Sequence, residues 1–241
     1  MSKGEKYLSE EIIHRNINGG WLRPAVFGAM DGLVSNFALM IGVAGGSKAL
    51  GAENTSAIVL AGFAGLLAGA FSMAAGEYTS VKSQAELALA EIELERNEIK
   101  NNLDHEIREL AEVWMNRGVT ETVALQFSKE LSKNEQAFLD AHTSVEFGVT
   151  ADDLPSANVA AISSFIAFGG GALVPLVPYM FGLTDIVYSM VISLFGLFLA
   201  GALVSLVTTR TWWYSGIRQL LLGSGAAAVT WFLGSTIGAA L

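Results

Sequence analysis

The chain has 241 residues, 52% of them hydrophobic and 15% charged, with a formal net charge of −9 and no cysteine. Soluble domains carry about 25% charged residues, so this composition indicates a membrane protein, and the missing thiols exclude disulfides and thiolate metal ligands. The net negative charge of residues 83–154 exceeds that of the whole chain, and an acidic surface of that kind argues against nucleic acid or anionic lipid as its partner.

Five apolar runs are long enough to cross a ~30 Å hydrocarbon core, which takes about 20 helical residues. They are Ala25–Gly45, Ala57–Val81, Ala157–Phe181, Ile186–Val207 and Ile217–Leu241. The polar start, MSKGEKYLSEEIIHRNINGG, has no hydrophobic leader, so no cleaved signal peptide is expected and the first span anchors the chain.

Asp31 sits in GAMDGLVSNFALM of the first span, where an ionised carboxylate costs at least ~2.5 kcal/mol. It is expected either to face a transport pathway or to pair with Asn36 or a serine. In GAFSMAAGEYTSV of the second span, Met73 and Glu77 are four residues apart and share one helical face. A thioether is a soft, weak ligand that favours late transition metals. Neighbouring carboxylates can exchange metal for protons, a chemical basis for antiport.

Residues 83–154 are polar and predict three helices. The first continues from the second span to about Arg117 and stops before Gly118. The second runs from a Thr120 cap to about Leu131, and the third from Lys133 to Phe147, capped by Ser132 or Asn134. The expected divisions are therefore 1–82, 83–154 and 155–241, with Pro155 opening the third span. On a wheel of ~100° per residue, Glu91, Glu95, Glu98, Glu106 and Glu109 form one stripe about 80° wide with Asn102 among them. Beside it lies an apolar face of Ile92, Ile99, Leu103, Ile107 and Leu110. Like charges four apart repel, and at a packed edge a divalent cation offsets that repulsion.

Every Lys and Arg except Lys48 falls before the first span, between the second and third, or between the fourth and fifth. The positive-inside rule then makes the acidic insertion and the N-terminus cytoplasmic. Gly28/Gly32, Gly65/Gly69 and Gly234/Gly238 are small-xxx-small pairs for close helix contact. Five helices enclose a pathway poorly, so a homodimer with the pathway near its two-fold axis is expected.

DGLVSN, SMAAGEYTSV, the Glu-rich insertion and SGIRQLLLGSGAAAVTWFLG, in that order, resemble the vacuolar iron transporter family over nearly the whole chain. The resemblance implies a five-span homodimer that moves Fe²⁺, and often Mn²⁺ or other divalent metals such as Co²⁺ and Zn²⁺, out of the cytosol in exchange for protons. It implies no catalytic cofactor and no enzymatic activity. By position it implies a pathway of Asp31 and Met73 with Glu77 close by, and cytoplasmic metal ligands Glu95, Glu98, Glu106, Glu109 and Glu146. Plant and parasite members carry a methionine pair just before the last of these, where this chain has His142 and Thr143. His142 and Glu146 stand i,i+4, a ligand spacing in its own right, and His105 lies at the stripe's edge. A short chain of this kind suggests a prokaryotic cell membrane, or a vacuolar membrane in a eukaryote. The alternatives are a passive divalent channel or metal sensor and, more remotely, a membrane-bound ferroxidase. The latter usually needs Glu-x-x-His pairs on two helices, and this insertion has none.

Overall fold

The computed structural model describes residues 20–51, 54–148, 150, 154–205 and 210–241. Lys3, Lys6, Arg15, Asp152, Asp153 and the last residues of the expected fourth span, 206–207, lie outside them. The described elements are α1 (Leu22–Ala49), α2 (Thr55–Asn101), α3 (Leu103–Asn116), α4 (Glu121–Leu131), α5 (Glu135–Glu146), α6 (Ala157–Leu173), α7 (Val177–Met180), α8 (Ile186–Val204) and α9 (Trp212–Ala240), with a 3₁₀ turn between α6 and α7. Five stretches are long and apolar enough to span a bilayer: α1, α2, residues Ala157–Met180, α8 and α9. The chain is a multi-pass integral membrane protein of all-helical class. Its outer surface carries large apolar side chains such as Phe71, Val191, Phe195, Leu221 and Phe232, the face that lipid requires.

Helix α1 lies at the centre, between α6 and α9. Gly28 and Gly32 let its backbone meet α6: a Cβ on Gly28 would come within 2.9 Å of the Ser164 carbonyl, and one on Gly32 would collide with the Phe168 carbonyl. On the α9 side a Cβ on Gly234 would strike the Gly42 carbonyl. Apolar tails give no hydrophobic drive between helices in lipid, so backbone-close packing and interhelical hydrogen bonds hold the bundle. Two such bonds reach α1 or leave it: Asn36 Nδ2, buried, donates to Ala172 O at 2.6 Å, and Thr230 Oγ1, part-buried, donates to Ala38 O at 2.7 Å. Around them Leu33, Phe37, Ile41, Leu197 and Ala227 form one apolar core, and Met40, Ala44, Ile58 and Leu176 another.

Prolines and asparagines move three boundaries away from the sequence reading. The third span is not one helix, because α6 ends at Leu173 and a 3₁₀ turn over Val174–Leu176 precedes α7. Pro175 and Pro178 lack the N–H that a continuous ladder needs, and Ser189 Oγ on α8 donates to the Pro175 carbonyl at 2.7 Å. Pro155 does not open α6 but precedes its N-cap, Ser156, whose Oγ accepts from Val159 N at 3.5 Å. The long second helix does not reach Arg117 either. Asn102, at φ −137° and ψ 40°, ends α2 and begins α3, and its carbonyl accepts the amides of His105 and Glu106. Asparagine's side chain competes for backbone groups and disfavours a helix interior. Downstream, Gly118 at φ +95° turns the chain after α3, and of the two candidate caps for α5 it is Asn134 that accepts from Ala137 N, at 3.2 Å.

Close packing at α1 generates a test. Gly32→Ala is expected to lower the thermal midpoint of the detergent-solubilised chain, at a cost of about 1–3 kcal/mol. Gly169→Ala, where a Cβ meets nothing within 4 Å, should be neutral or slightly stabilising. Equal midpoints for the two variants would refute the backbone contact with α6.

Candidate metal centre

The insertion builds its own apolar core from Ile92 and Ile99 of α2, Leu110 of α3 and Phe138 and Leu139 of α5. Leu103, expected on the same face, is instead exposed, because the break at Asn102 resets the helical phase. The core draws two carboxylates in with it. Glu95 on α2 is 5% exposed and Glu106 on α3 is 3% exposed, while Glu98 and Glu109 stay at the surface and Glu91 is half-buried. The stripe therefore survives as a cluster with a buried and an open side.

His142 of α5, 1% exposed, closes the buried side. Its Nδ1 lies 3.0 Å from Glu95 Oε1 and 3.5 Å from Glu146 Oε1, and its ring meets Phe138 edge-on at 4.6 Å. Among the described residues Glu95 Oε1 has no donor besides that nearby Nδ1, a costly state for a buried carboxylate oxygen, and the Glu106 backbone hydrogen-bonds the imidazole. Glu95, His142 and Glu146 each offer a ligand atom, all within 4.8 Å of one another. Donors about 2.1 Å from one ion and at right or somewhat wider angles to each other stand ~3.0–3.5 Å apart, which the two spacings from His142 match. His105, Glu106 and Glu109 form a second group, more exposed, with His105 Nε2 3.7 Å from Glu109 Oε2.

Electrostatics follow from this crowding. Burial first, then the charges of Glu146, Glu106, Glu98 and Glu109, push the Glu95 carboxyl from its ordinary 4.5 up to about 7. Burial also raises Glu106 and Glu146, with Glu109 adding to both. Burial holds the His142 imidazole below its usual range, against the upward pull of Glu106 and Glu109. It is thus neutral at pH 7 with a lone pair free for a metal. Carboxylate and imidazole together suit borderline divalent ions such as Fe²⁺, Mn²⁺, Co²⁺ and Zn²⁺.

The membrane residues are not brought together in the single chain. Asp31 lies on the exposed side of α1. Among the described residues its carboxylate forms no hydrogen bond or ion pair with the side chain of Asn36, which bonds to α6 instead, while its backbone carbonyl accepts from Ser35 Oγ. Met73 is half-buried against Ala70, Phe168 and Ala172, and Glu77, one turn nearer the insertion, is half-buried as well. No hydrogen bond or ion pair among the described residues joins Asp31, Met73 and Glu77. The reading of the sequence gave Asn36 no role beyond a partner for Asp31. Its Oδ1 is buried and unpaired, and the signal was an amide in the middle of an otherwise apolar span.

The VIT family matches residues 22–235. A vacuolar iron transporter of Centaurea cyanus is 31% identical over 232 residues, covering 95% of this chain and 93% of the relative. Vacuolar iron transporter 1 of Arabidopsis thaliana is 31% identical over 222 residues, covering 91% and 87%. Protein CCC1 of Saccharomyces cerevisiae is 29% identical over 227 residues, covering 88% and 68%.

A raised Glu95 pKa means that between about pH 4.5 and 7 the native state holds a proton that the unfolded chain has released. Stability of the metal-free chain is therefore expected to fall as pH climbs through that window, and Glu95→Gln should flatten the fall in pH-dependent thermal melts. Added Co²⁺ should restore stability at pH 7 in the parent chain, whereas Glu95→Gln and His142→Ala should each weaken Co²⁺ binding at least about tenfold, read by titration calorimetry.

Proposed function

The chain belongs to the VIT family, and we propose that it exports Fe²⁺ from the cytosol in exchange for protons, with Mn²⁺, Co²⁺ and Zn²⁺ as further cargo. Relatives named as vacuolar iron transporters support metal movement across a membrane. The observation that carries the reading is the convergence of His142 Nδ1 with carboxylate oxygens of buried Glu95 and exposed Glu146. That point stands on the same helix as Met73 and Glu77. In this reading residues 83–154 are a cytosolic capture domain, in which Glu98, Glu106 and Glu109 attract the ion and the buried cluster holds it.

From Glu95 to Glu77 along α2 is about 27 Å at ~1.5 Å per residue. The ion passes to Glu77 and the Met73 thioether, whose weak grip allows release, and then to Asp31. Exposure of Asp31 on a membrane-spanning surface supports a second copy of the chain: a bare carboxylate facing lipid costs several kcal/mol, and a homodimer with its axis beside α1 removes that cost. Carboxylates vacated by the metal take up protons from the far side, which couples the two flows. Orientation rests on Arg23, Lys82, Arg210 and Arg218 at the insertion's side of the bilayer and Lys48 alone opposite.

Proteoliposomes provide the test. Fe²⁺ uptake should rise several-fold with an opposing pH gradient and collapse when a protonophore is added; flux indifferent to the gradient would leave a passive channel. Asp31→Ala and Met73→Ala should abolish flux while the full-length protein still binds metal with unchanged stoichiometry. Normal flux in either variant would remove that residue from the path.

A further inference from the structure

At the end of the bundle opposite the acidic insertion, a polar cavity and an apolar groove lie side by side. Helices α8 and α9 are pressed together nearer the insertion, where a Cβ on Gly201 would strike the Ser215 carbonyl and one on Gly223 would meet Leu197. Beyond that contact, toward Asp185, a groove of about 400 Å³ lies between them. Phe37 and Ile41 of α1 form its floor, Met190 and Leu194 one wall, and Ala228 and Trp231 the other. At its outer end is a polar cavity of about 330 Å³ lined by Lys48, Asn54, Thr55, Thr184 and Asp185. Ile186 and Trp231 line both, so the polar cavity and the groove are immediate neighbours.

The cavity carries one charge of each sign. Lys48 forms no ion pair with any described residue, and its position at the end of α1 lets the ammonium reach the cavity while its stem lies along the helix. Asp185 caps α8 by accepting from Val187 N through Oδ1 at 2.9 Å; its Oδ2 has no hydrogen bond or ion pair among the described residues. A soluble zwitterion would satisfy the two charges but leave the groove empty, and a helix from a second copy would fill the groove but leave the charges unmet. One molecule that fills both has a phosphate and an amine over a hydrocarbon chain.

We propose that the cavity and the groove together form a binding site for one phospholipid with a primary-amine headgroup. The phosphate rests against the Lys48 ammonium and the Thr55 hydroxyl, the headgroup ammonium donates to the Asp185 carboxylate, and one acyl chain lies in the groove between α8 and α9. Trp231 stands at the junction, where an indole favours the boundary between headgroup and hydrocarbon. A choline headgroup fits less well because its quaternary nitrogen has no N–H to give Asp185, and a glycerol headgroup has no cation at all. The site is independent of the metal path and of the direction of transport.

Native mass spectrometry of the full-length chain, delipidated and then supplied with defined lipids, tests the assignment. One phosphatidylethanolamine per chain should be retained, with about tenfold preference over phosphatidylcholine or phosphatidylglycerol, the worth of one charge-assisted hydrogen bond. Asp185→Asn keeps a good helix cap and should erase the preference without abolishing phospholipid binding. Lys48→Gln should weaken all three lipids alike, and Ala228→Trp, which fills the groove from its exposed wall, should expel them. Equal retention of the three lipids by the parent chain, a preference that survives Asp185→Asn, or thermal stabilisation by soluble glycerophosphoethanolamine equal to that by the lipid would each overturn the proposal. A change in oligomeric state with unaltered lipid binding in Ala228→Trp would instead assign the groove to contact between copies.

Discussion

Everything in the membrane half depends on α1 being held backbone to backbone on two sides. With Gly28 and Gly32 against α6 and Gly42 against Gly234 of α9, both flanks of α1 are filled and its remaining face, with Asp31 and Ser35, has to look outward. In water such an arrangement would leave a harmless surface acid. In a bilayer it is an uncompensated electrostatic cost, and no ion pair among the described residues offers Asp31 a counter-charge. The same glycines that make the bundle compact therefore make it incomplete.

The insertion meets an opposite difficulty. It buries Glu95 and Glu106 in an apolar core, where ionised carboxylates are poorly solvated. The chain answers with His142, which comes from a separate helix and is itself held neutral by burial. Neutral imidazole cannot balance the charge of the clustered carboxylates; it can donate one N–H to Glu95 or offer a lone pair to a shared cation. The cluster thus has ligand chemistry that could take a divalent ion, the role assigned to it in the proposed function.

The five spans and their close-packing glycines were legible because both are local signals: twenty apolar residues in a row, or two small residues four apart. Boundaries set by competition between local and tertiary terms were less so. Asn102 was counted as one more residue of a continuous acidic helix, and the wheel drawn through it misplaced Leu103, although Glu95 and Glu106 still turned inward because each packs on the core of its own segment. Pro175 and Pro178 were passed over inside an apolar run whose hydropathy hides the missing donors. The approach of His142 to Glu95 joins residues 47 positions apart, and no helical periodicity reports such a distance. The two cavities at the Asp185 end depend wholly on how α8 and α9 sit on α1, and left no pattern in the sequence.

The second helix runs unbroken for 47 residues from Thr55 to Asn101, about 70 Å of rod at ~1.5 Å per residue. It is gripped near its outer end, where Gly62 meets Met40 and Gly65 meets Leu39 and Asn36, and it carries Glu95 roughly 45 Å farther along. A rod held that way is a lever: tilting it by about 5° sweeps Glu95 through about 4 Å, close to the 4.8 Å span of the three ligand atoms. Because Phe138 and Leu139 of α5 pack on Ile92 and Ile99 of the same rod, such a tilt would carry His142 and Glu146 along with Glu95 relative to the spans.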